Sequence, residues 1–225
     1  MSNQKLEDFL ESPSGKELRE IMELDLLTNG DVWRANETIK THDDPYGRRQ
    51  YLRAVTAHAE ALTSMLKFLA LSGRNSFTDA ERALLTERTH FLDSHGEVQE
   101  SVLFLSLDRN IRFTFRAYAG SGGVQFNLDV KTNGWRDFKT TLRVRNRLMH
   151  PRRLTDLAVS DRELDAARCA HVWIKSQYYR MTEVMLEKML YDKGFTAEDF
   201  AAFKEGRAQQ NKEWIAKGLI VESAD

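Results

Sequence analysis

The amino-acid sequence predicts a mainly α-helical protein, a bundle of long helices with one inserted β-hairpin. Only 3 prolines and 12 glycines interrupt the 225 residues, so long helices are possible. Two segments carry residues at alternating spacings of three and four, the pattern of helices that bury one face. These residues are Leu52, Val55, Ala59, Leu62, Leu66 and Leu69 in the first segment, and Leu164, Ala167, His171, Ile174, Tyr178, Met181 and Met185 in the second.

Helix starts are marked by capping boxes, in which a hydroxyl and a carboxylate three residues later satisfy free backbone donors. Three such pairs are Ser14 with Glu17, Thr78 with Glu81, and Ser160 with Glu163. From these starts and from the apolar spacing we predict six helices. They cover residues 14–28, 47–72, 79–93, 134–150, 161–192 and 197–217.

A β-hairpin is predicted at about 111–130. Apolar and polar residues alternate over 111–118 and again over 124–131, on either side of the glycine-rich segment 119–123. Period two on both sides of such a turn is typical of two paired strands. Because an isolated hairpin is marginally stable in water, its apolar face should pack on the helices or on a partner.

The domain organisation follows from these elements. We expect an N-terminal helical extension at 1–46, a helical bundle at 47–192 that includes the hairpin, and a C-terminal helix and tail at 193–225. No apolar stretch is long enough for a membrane span, and the N-terminus lacks the apolar segment of a signal peptide. The single cysteine, Cys169, excludes an internal disulfide. A cytoplasmic protein without membrane partners is therefore expected.

Positive charge is concentrated in one segment of a protein whose net charge is −1. Between Lys131 and Arg153 there are eight basic residues and one acidic residue, so this segment carries +7 and the rest of the chain −8. The net charge excludes a general positive field for nucleic acid. A solvated helix face is one interpretation of the basic segment, and a local anion-binding site is the other.

The helix predicted at 134–150 carries a charged residue, Arg145, at a position where its three-and-four spacing predicts an apolar residue. The spacing passes through Trp135, Phe138, Leu142, Arg145 and Met149. A guanidinium there is costly unless it is paired or faces a polar cleft. Asn146 and His150 are four apart and share one face, and Pro151 should end the helix at His150.

The segment 145–150, Arg-Asn-Arg-Leu-Met-His, resembles the signature of HEPN domains: an arginine, a polar residue, three variable residues and a histidine. The likeness covers 47–192, although the minimal family bundle lacks a hairpin. It implies a HEPN-like helical bundle that dimerises and brings two copies of the motif together. Many family members are metal-independent ribonucleases, some of them toxins or phage-defence effectors, and others bind nucleotides or proteins without cleavage.

The motif has a direct chemical interpretation. RNA supplies its own nucleophile, the 2′-hydroxyl, so cleavage needs a proton acceptor and fixed positive charge at the phosphate. We expect His150 to accept the proton and Arg145 to bind the phosphate oxygens, while Asn146 either orients the imidazole ring or hydrogen-bonds a phosphate oxygen. Further substrate-binding residues expected on the same segment are Arg143, Arg147 and Arg152. Neither a cofactor nor a metal ion is expected.

Arg145 and His150 are about 140° apart around a helix, so a second protomer or the long arginine side chain must close the gap. A homodimer that binds RNA or a nucleotide is therefore expected, with an antitoxin or regulatory protein as a further partner. The alternatives are a non-catalytic nucleotide-, RNA- or protein-binding module and a purely structural protein. In the structural alternative Glu60 pairs with Arg145, which would also hold the arginine for catalysis, and His150 contacts the last carbonyls of its helix.

The other histidines are weaker candidates. His171 lies in an apolar seam and is expected to be a hydrogen-bonded core residue rather than a ligand. His58 lacks a partner at a suggestive spacing. His90 and His95 flank Asp93, but no second cluster supports a metal site there.

Overall fold

The computed structural model describes residues 13–73 and 77–192, together with residues 11, 194, 196, 198, 201 and 205. Its helices are α1 Pro13–Thr41, α2 Pro45–Ser72, α3 Asp79–Thr86, α4 Leu107–Ser121, α5 Asn133–Met149 and α6 Asp161–Asp192. A 3-10 helix spans Leu154–Leu157, and strands β1 Arg88–Leu92 and β2 Val98–Val102 form an antiparallel pair. The prediction of a mainly α-helical fold with an inserted β-hairpin is confirmed.

Three predicted helices, 47–72, 134–150 and 161–192, agree closely with α2, α5 and α6. α1 continues well past its predicted end, because Gly30 is tolerated inside the helix. α3 ends seven residues short of the predicted 93, since Glu87 adopts the left-handed conformation with φ 53° and β1 follows at once. The predicted helix 197–217 lies almost entirely outside the described residues.

The predicted position of the hairpin, 111–130, was wrong. Most of this stretch belongs to α4, which buries Ile111, Phe115 and Tyr118 on one face. Their spacing of four and three is helical, but over so few residues the same sequence also satisfies an alternating pattern. Residues 124–130 follow α4 without regular secondary structure.

The hairpin lies instead at residues 88–102, where Arg88 pairs with Val102 and Leu92 with Val98. Its turn is stabilised by Asp93, whose carboxylate accepts the backbone N–H groups of residues 95 and 97 at 2.9 and 3.0 Å. These hydrogen bonds lower the pKa of Asp93 below its usual value. An Asp-Ser-His-Gly turn is a recognisable signal, but the predicted helix 79–93 covered β1 and ended only at Asp93, where the turn begins.

α2 is the central helix and packs against α1, α3, α4 and α5. Asp44 caps it by accepting the N–H of Gly47 at 2.6 Å, and Pro45 occupies its first turn, as is common at helix starts. The predicted seam of α2 is buried from Leu52 to Leu66. One core cluster joins it to α1, α5, the segment before α6, and α6, through Val32, Ile39, Tyr51, Leu52, Val55, Val144, Leu148, Val159, Leu164 and Ala167.

The capping boxes at Thr78 and Ser160 are present in the structure, whereas the pair of Ser14 with Glu17 involves side chains outside the described part.

The chain divides into two compact units, one ending at Met181 and one beginning at Thr182. α1 contributes Val32 and Ile39 to the core of the first unit, and the predicted division at residue 46 stays a prediction. In the part of the chain that the structure describes, no helix has the length and apolarity needed to cross a membrane.

Candidate functional site

α5 is positioned by close packing at its start and by a core face along its length. Gly134 faces Trp173 of α6 so closely that a Cβ would lie 2.5 Å from Cδ1 of the indole. The buried residues of α5 are Trp135, Phe138, Thr141, Val144 and Leu148. Thr141 is accommodated because its hydroxyl donates to the carbonyl of Asp137 at 2.9 Å.

The predicted seam of α5 was wrong beyond Phe138. Three successive steps of three residues turn the buried stripe toward Val144, because each such step falls short of a full helical turn. Arg145 therefore lies at the edge of the core face, with 36% of its side chain exposed, and Met149 is exposed. The guanidinium occupies no apolar position; it faces a cleft.

This cleft, of about 550 Å³, runs between α5 and the segment that leads into α4. Four cationic side chains and two acidic ones line it, so its formal charge is +2 (4 − 2). The cations are Arg136, Lys139, Arg143 and Arg145, the acids are Glu60 and Asp108, and the amide of Asn146 lies among them. We call this the cationic cleft.

Within the cleft, Arg145 has two neighbours that orient its guanidinium. Nη2 lies 3.4 Å from Oε1 of Glu60, and Nη1 donates to Oδ1 of Asn146 at 3.2 Å. The pairing of Arg145 with Glu60, one of the alternatives that the sequence left open, is thus present. The contact is long for a charge-assisted hydrogen bond, and a guanidinium has five N–H donors. The arginine is oriented while keeping donors for an anion.

Arg143 also lines the cleft, and its Nη2 donates to Oγ1 of Thr140 at 2.8 Å. Arg152 does not belong to the lining; its backbone N–H donates to the carboxylate of Asp156 at 2.8 Å, and its side chain is exposed. Arg136 and Lys139 were counted in the basic segment but not singled out as ligands. Their spacing with Arg143 along one helix face was the available signal.

Arg147 makes a set of structural contacts. Its guanidinium donates to both carboxylate oxygens of Glu163, at 2.9 and 3.2 Å, and to the carbonyls of Asp156 and Ala158 at 3.1 and 2.6 Å. Partial burial raises the pKa of Glu163, but hydrogen bonds from Arg147 and Ser160 outweigh it, and the pKa lies below its usual value. Arg147 thereby ties the end of α5 to the start of α6, and substrate binding by this residue stays a prediction.

His150 caps α5 and lies outside the cleft lining. Its backbone N–H, not its ring, bonds to the carbonyl of Asn146 at 3.1 Å. The ring is exposed. Helix geometry separates the Cα atoms of Arg145 and His150 by about 9 Å and turns them about 140° apart. Within a single chain, Arg143, Arg145 and Asn146 therefore lie in the cleft, and His150 lies outside it.

A second polar arrangement, which sequence analysis missed, lies inside the bundle. His58 is 1% exposed, and both its ring nitrogens are bonded: Nε2 lies 2.8 Å from Oδ1 of Asp25, and Nδ1 lies 2.9 Å from Nε2 of His171. Since a carboxylate only accepts, Nε2 of His58 donates to it, and in the neutral ring Nδ1 accepts from His171. We call Asp25, His58 and His171 the buried histidine chain.

The surroundings of this chain keep His171 neutral. Burial, followed by His58 and then Lys175, lowers the pKa of His171 to about 3. The prediction that His171 is a hydrogen-bonded core histidine is confirmed. The partners of His58 lie 33 and 113 residues away, so no local spacing could have revealed them.

The segment around Asp93 forms the hairpin turn described above. Among residues 13–73 and 77–192, no group of three or more histidine, cysteine or acidic side chains is arranged to hold a metal ion.

Comparison of the chain with protein-family models, with curated proteins and with solved structures finds no match. The fold and site thus define a helical bundle with a cation-lined cleft on its α5 helix, and the HEPN resemblance stays a prediction.

Proposed function

We propose that this protein is a HEPN-type endoribonuclease that cleaves RNA without a metal ion. The observation that carries the proposal is the cationic cleft, in which Arg143, Arg145 and Asn146 of the motif helix lie together. A cleft with this charge favours a polyanionic ligand over a neutral one. His150, exposed at the end of the same helix, supplies a group suited to proton transfer.

In the proposed reaction the 2′-oxygen attacks the adjacent phosphorus and the bond from phosphorus to the 5′-oxygen breaks. The products are a 2′,3′-cyclic phosphate and a free 5′-hydroxyl. His150 accepts the proton of the 2′-hydroxyl, and a water molecule delivers a proton to the leaving 5′-oxygen. Arg145 stabilises the negative charge that grows on the phosphate oxygens, and Asn146 orients the guanidinium through their hydrogen bond.

A homodimer fits this chemistry, because Arg145 and His150 face different directions within one chain. His150 of the partner subunit would complete the cleft, so that each site combines Arg145 of one subunit with His150 of the other. The surface around His150 supports such an interface, since Met149 is 48% exposed and Leu154 is 89% exposed. Exposed apolar side chains beside a functional residue are typical of an interaction surface.

The test is cleavage of single-stranded and structured RNA by the purified protein in the presence of a chelator. Cyclic-phosphate ends are expected, and His150→Ala should lower the rate by about a hundredfold or more. His42→Ala, an exposed histidine between α1 and α2, is the matched control and should cleave normally. Absence of cleavage in every RNA, or an unchanged rate in His150→Ala, would contradict the proposal.

Mixing two inactive variants tests the composite site. In an equal mixture of Arg145→Ala and His150→Ala, half of the dimers are mixed and each holds one intact pair, so about a quarter of the wild-type rate should return. A site formed within one chain predicts no recovery. This result separates a shared site from an active monomer.

A non-catalytic binding module is the second candidate, and the position of His150 outside the cleft lining favours it. It predicts that Arg145→Ala weakens binding of RNA or a nucleotide while the wild-type protein leaves RNA intact. If cleavage is observed, the activity suits a toxin or phage-defence effector in the cytoplasm, restrained by an antitoxin or regulatory protein. Growth arrest on expression, relieved by His150→Ala, would support that role.

A further inference from the structure

Phe104 lies between the hairpin and α4, beside the cationic cleft. Its side chain is 90% exposed, the largest value among the exposed large hydrophobic residues that the structure describes. Single exposed apolar residues are common on protein surfaces, but this one directly precedes Leu105, where the cleft wall begins. The location, rather than the exposure alone, indicates a role.

The backbone on both sides of Phe104 is held in place. The N–H of Leu103 donates to the carbonyl of Glu87 at 2.8 Å, and the carbonyl of Ser106 accepts the N–H of Asn110 at 2.9 Å as α4 begins. The ring is therefore carried on a short segment fixed at both ends. Binding to a fixed platform costs less conformational entropy than binding to a mobile one.

The segment that carries Phe104 alternates between half-buried and exposed residues. Exposure alternates along it: Leu103, Leu105 and Leu107 are half-buried, while Phe104 and Ser106 are exposed. Ser106 also lines the cleft. Phe104 shares the solvent-facing side of the segment with Ser106. Phe104 is not itself a lining residue, but it immediately precedes three residues that are, Leu105, Ser106 and Leu107.

We propose that Phe104 is a stacking platform for a base of single-stranded RNA whose phosphates lie in the cationic cleft. This inference rests on the proposed function and names the form of RNA that the site takes. Positive side chains beside an exposed aromatic ring are the combination that binds single strands, because every base offers a flat face. Bases in an A-form duplex are stacked on one another and present no free face.

The experiment measures binding by fluorescence anisotropy at fixed salt in a His150→Ala background, so that the RNA stays intact. The probes are a labelled single-stranded RNA, a duplex of the same length and a strand of the same length with abasic positions. Phe104→Ala should weaken binding of the single strand by at least about fivefold. It should leave the abasic strand and the duplex unchanged, and Phe104→Trp should retain the affinity of the parent.

Phe91→Ala is the matched control, since Phe91 is an exposed phenylalanine of β1, a strand that contributes no residue to the cleft lining. It should bind all three probes as the parent does. Equal binding by Phe104→Ala and the parent, or equal losses on the intact and abasic strands, would overturn the stacking platform. In that case a loss of all binding in Arg145→Ala would leave the proposed function standing. A parent that binds none of the probes would overturn both.

Discussion

The cationic cleft and the buried histidine chain are both polar, but they are built in opposite ways. The cleft takes most of its charges from one helix, α5, and holds them in contact with water. The buried histidine chain consists of Asp25, His58 and His171 from three helices, and both ring nitrogens of the buried His58 are hydrogen-bonded in it. Exposed charges cost little to maintain, whereas buried polar groups destabilise the protein unless every one is hydrogen-bonded.

Because of this difference, we expect ligand binding and stability to depend on different residues. Substitutions in the cleft should change what the protein binds with little effect on folding. Substitutions in the buried histidine chain should lower the free energy of unfolding, because they leave buried donors or acceptors without partners. Three predictions test this comparison, from the largest expected effect on folding to the smallest.

Replacing His58 should be the most destabilising. His58→Ala removes both hydrogen bonds of a side chain that is 1% exposed and opens a cavity, so the free energy of unfolding should fall by about 2–4 kcal/mol. Urea unfolding measures it. As a control, replacing the exposed His42 by alanine should leave the free energy of unfolding within about 0.5 kcal/mol of the wild type. A similarly small change for His58→Ala would show that the buried histidine chain contributes little to stability.

The pH dependence of stability should reflect His171. Its pKa is about 3 in the folded protein, below its value of about 6.5 in an unfolded chain. Between these values the unfolded chain binds the extra proton, so stability is full above pH 6.5 and falls as the pH is lowered toward 3. His171→Gln, which can still donate to His58, should flatten this part of the profile. An identical slope in the variant would exclude His171 as its source.

The pair of Arg145 and Glu60 should contribute least to folding. Both side chains are more than a third exposed and their charged atoms lie 3.4 Å apart, so a double-mutant cycle with Arg145→Ala and Glu60→Ala should give a coupling below about 1 kcal/mol. Glu60→Ala should also strengthen RNA binding, because it removes a negative charge from the cleft. A coupling of several kcal/mol would identify the pair as a structural element of the core instead.

The elements that sequence analysis predicted well are those with long helical periodicity. α2 and α6 carry apolar residues through several turns, and the end of α5 is marked by Pro151. The hairpin was misplaced because residues 111–118 satisfy helical and alternating patterns equally, and the packing of α4 against α2 favours the helix. The predicted seam of α5 drifted after Phe138 for a similar reason, since neighbouring helices select which residues are buried.

The sequence by itself determined the helical class of this protein and its basic α5 segment, because periodicity and local charge are properties of neighbouring residues. Only the tertiary structure decided that Arg145 faces a cleft while His150 lies outside it. It also decided that His58 joins Asp25 to His171. These relations depend on how distant segments pack, and distances through space between such segments are not written in local patterns of residues.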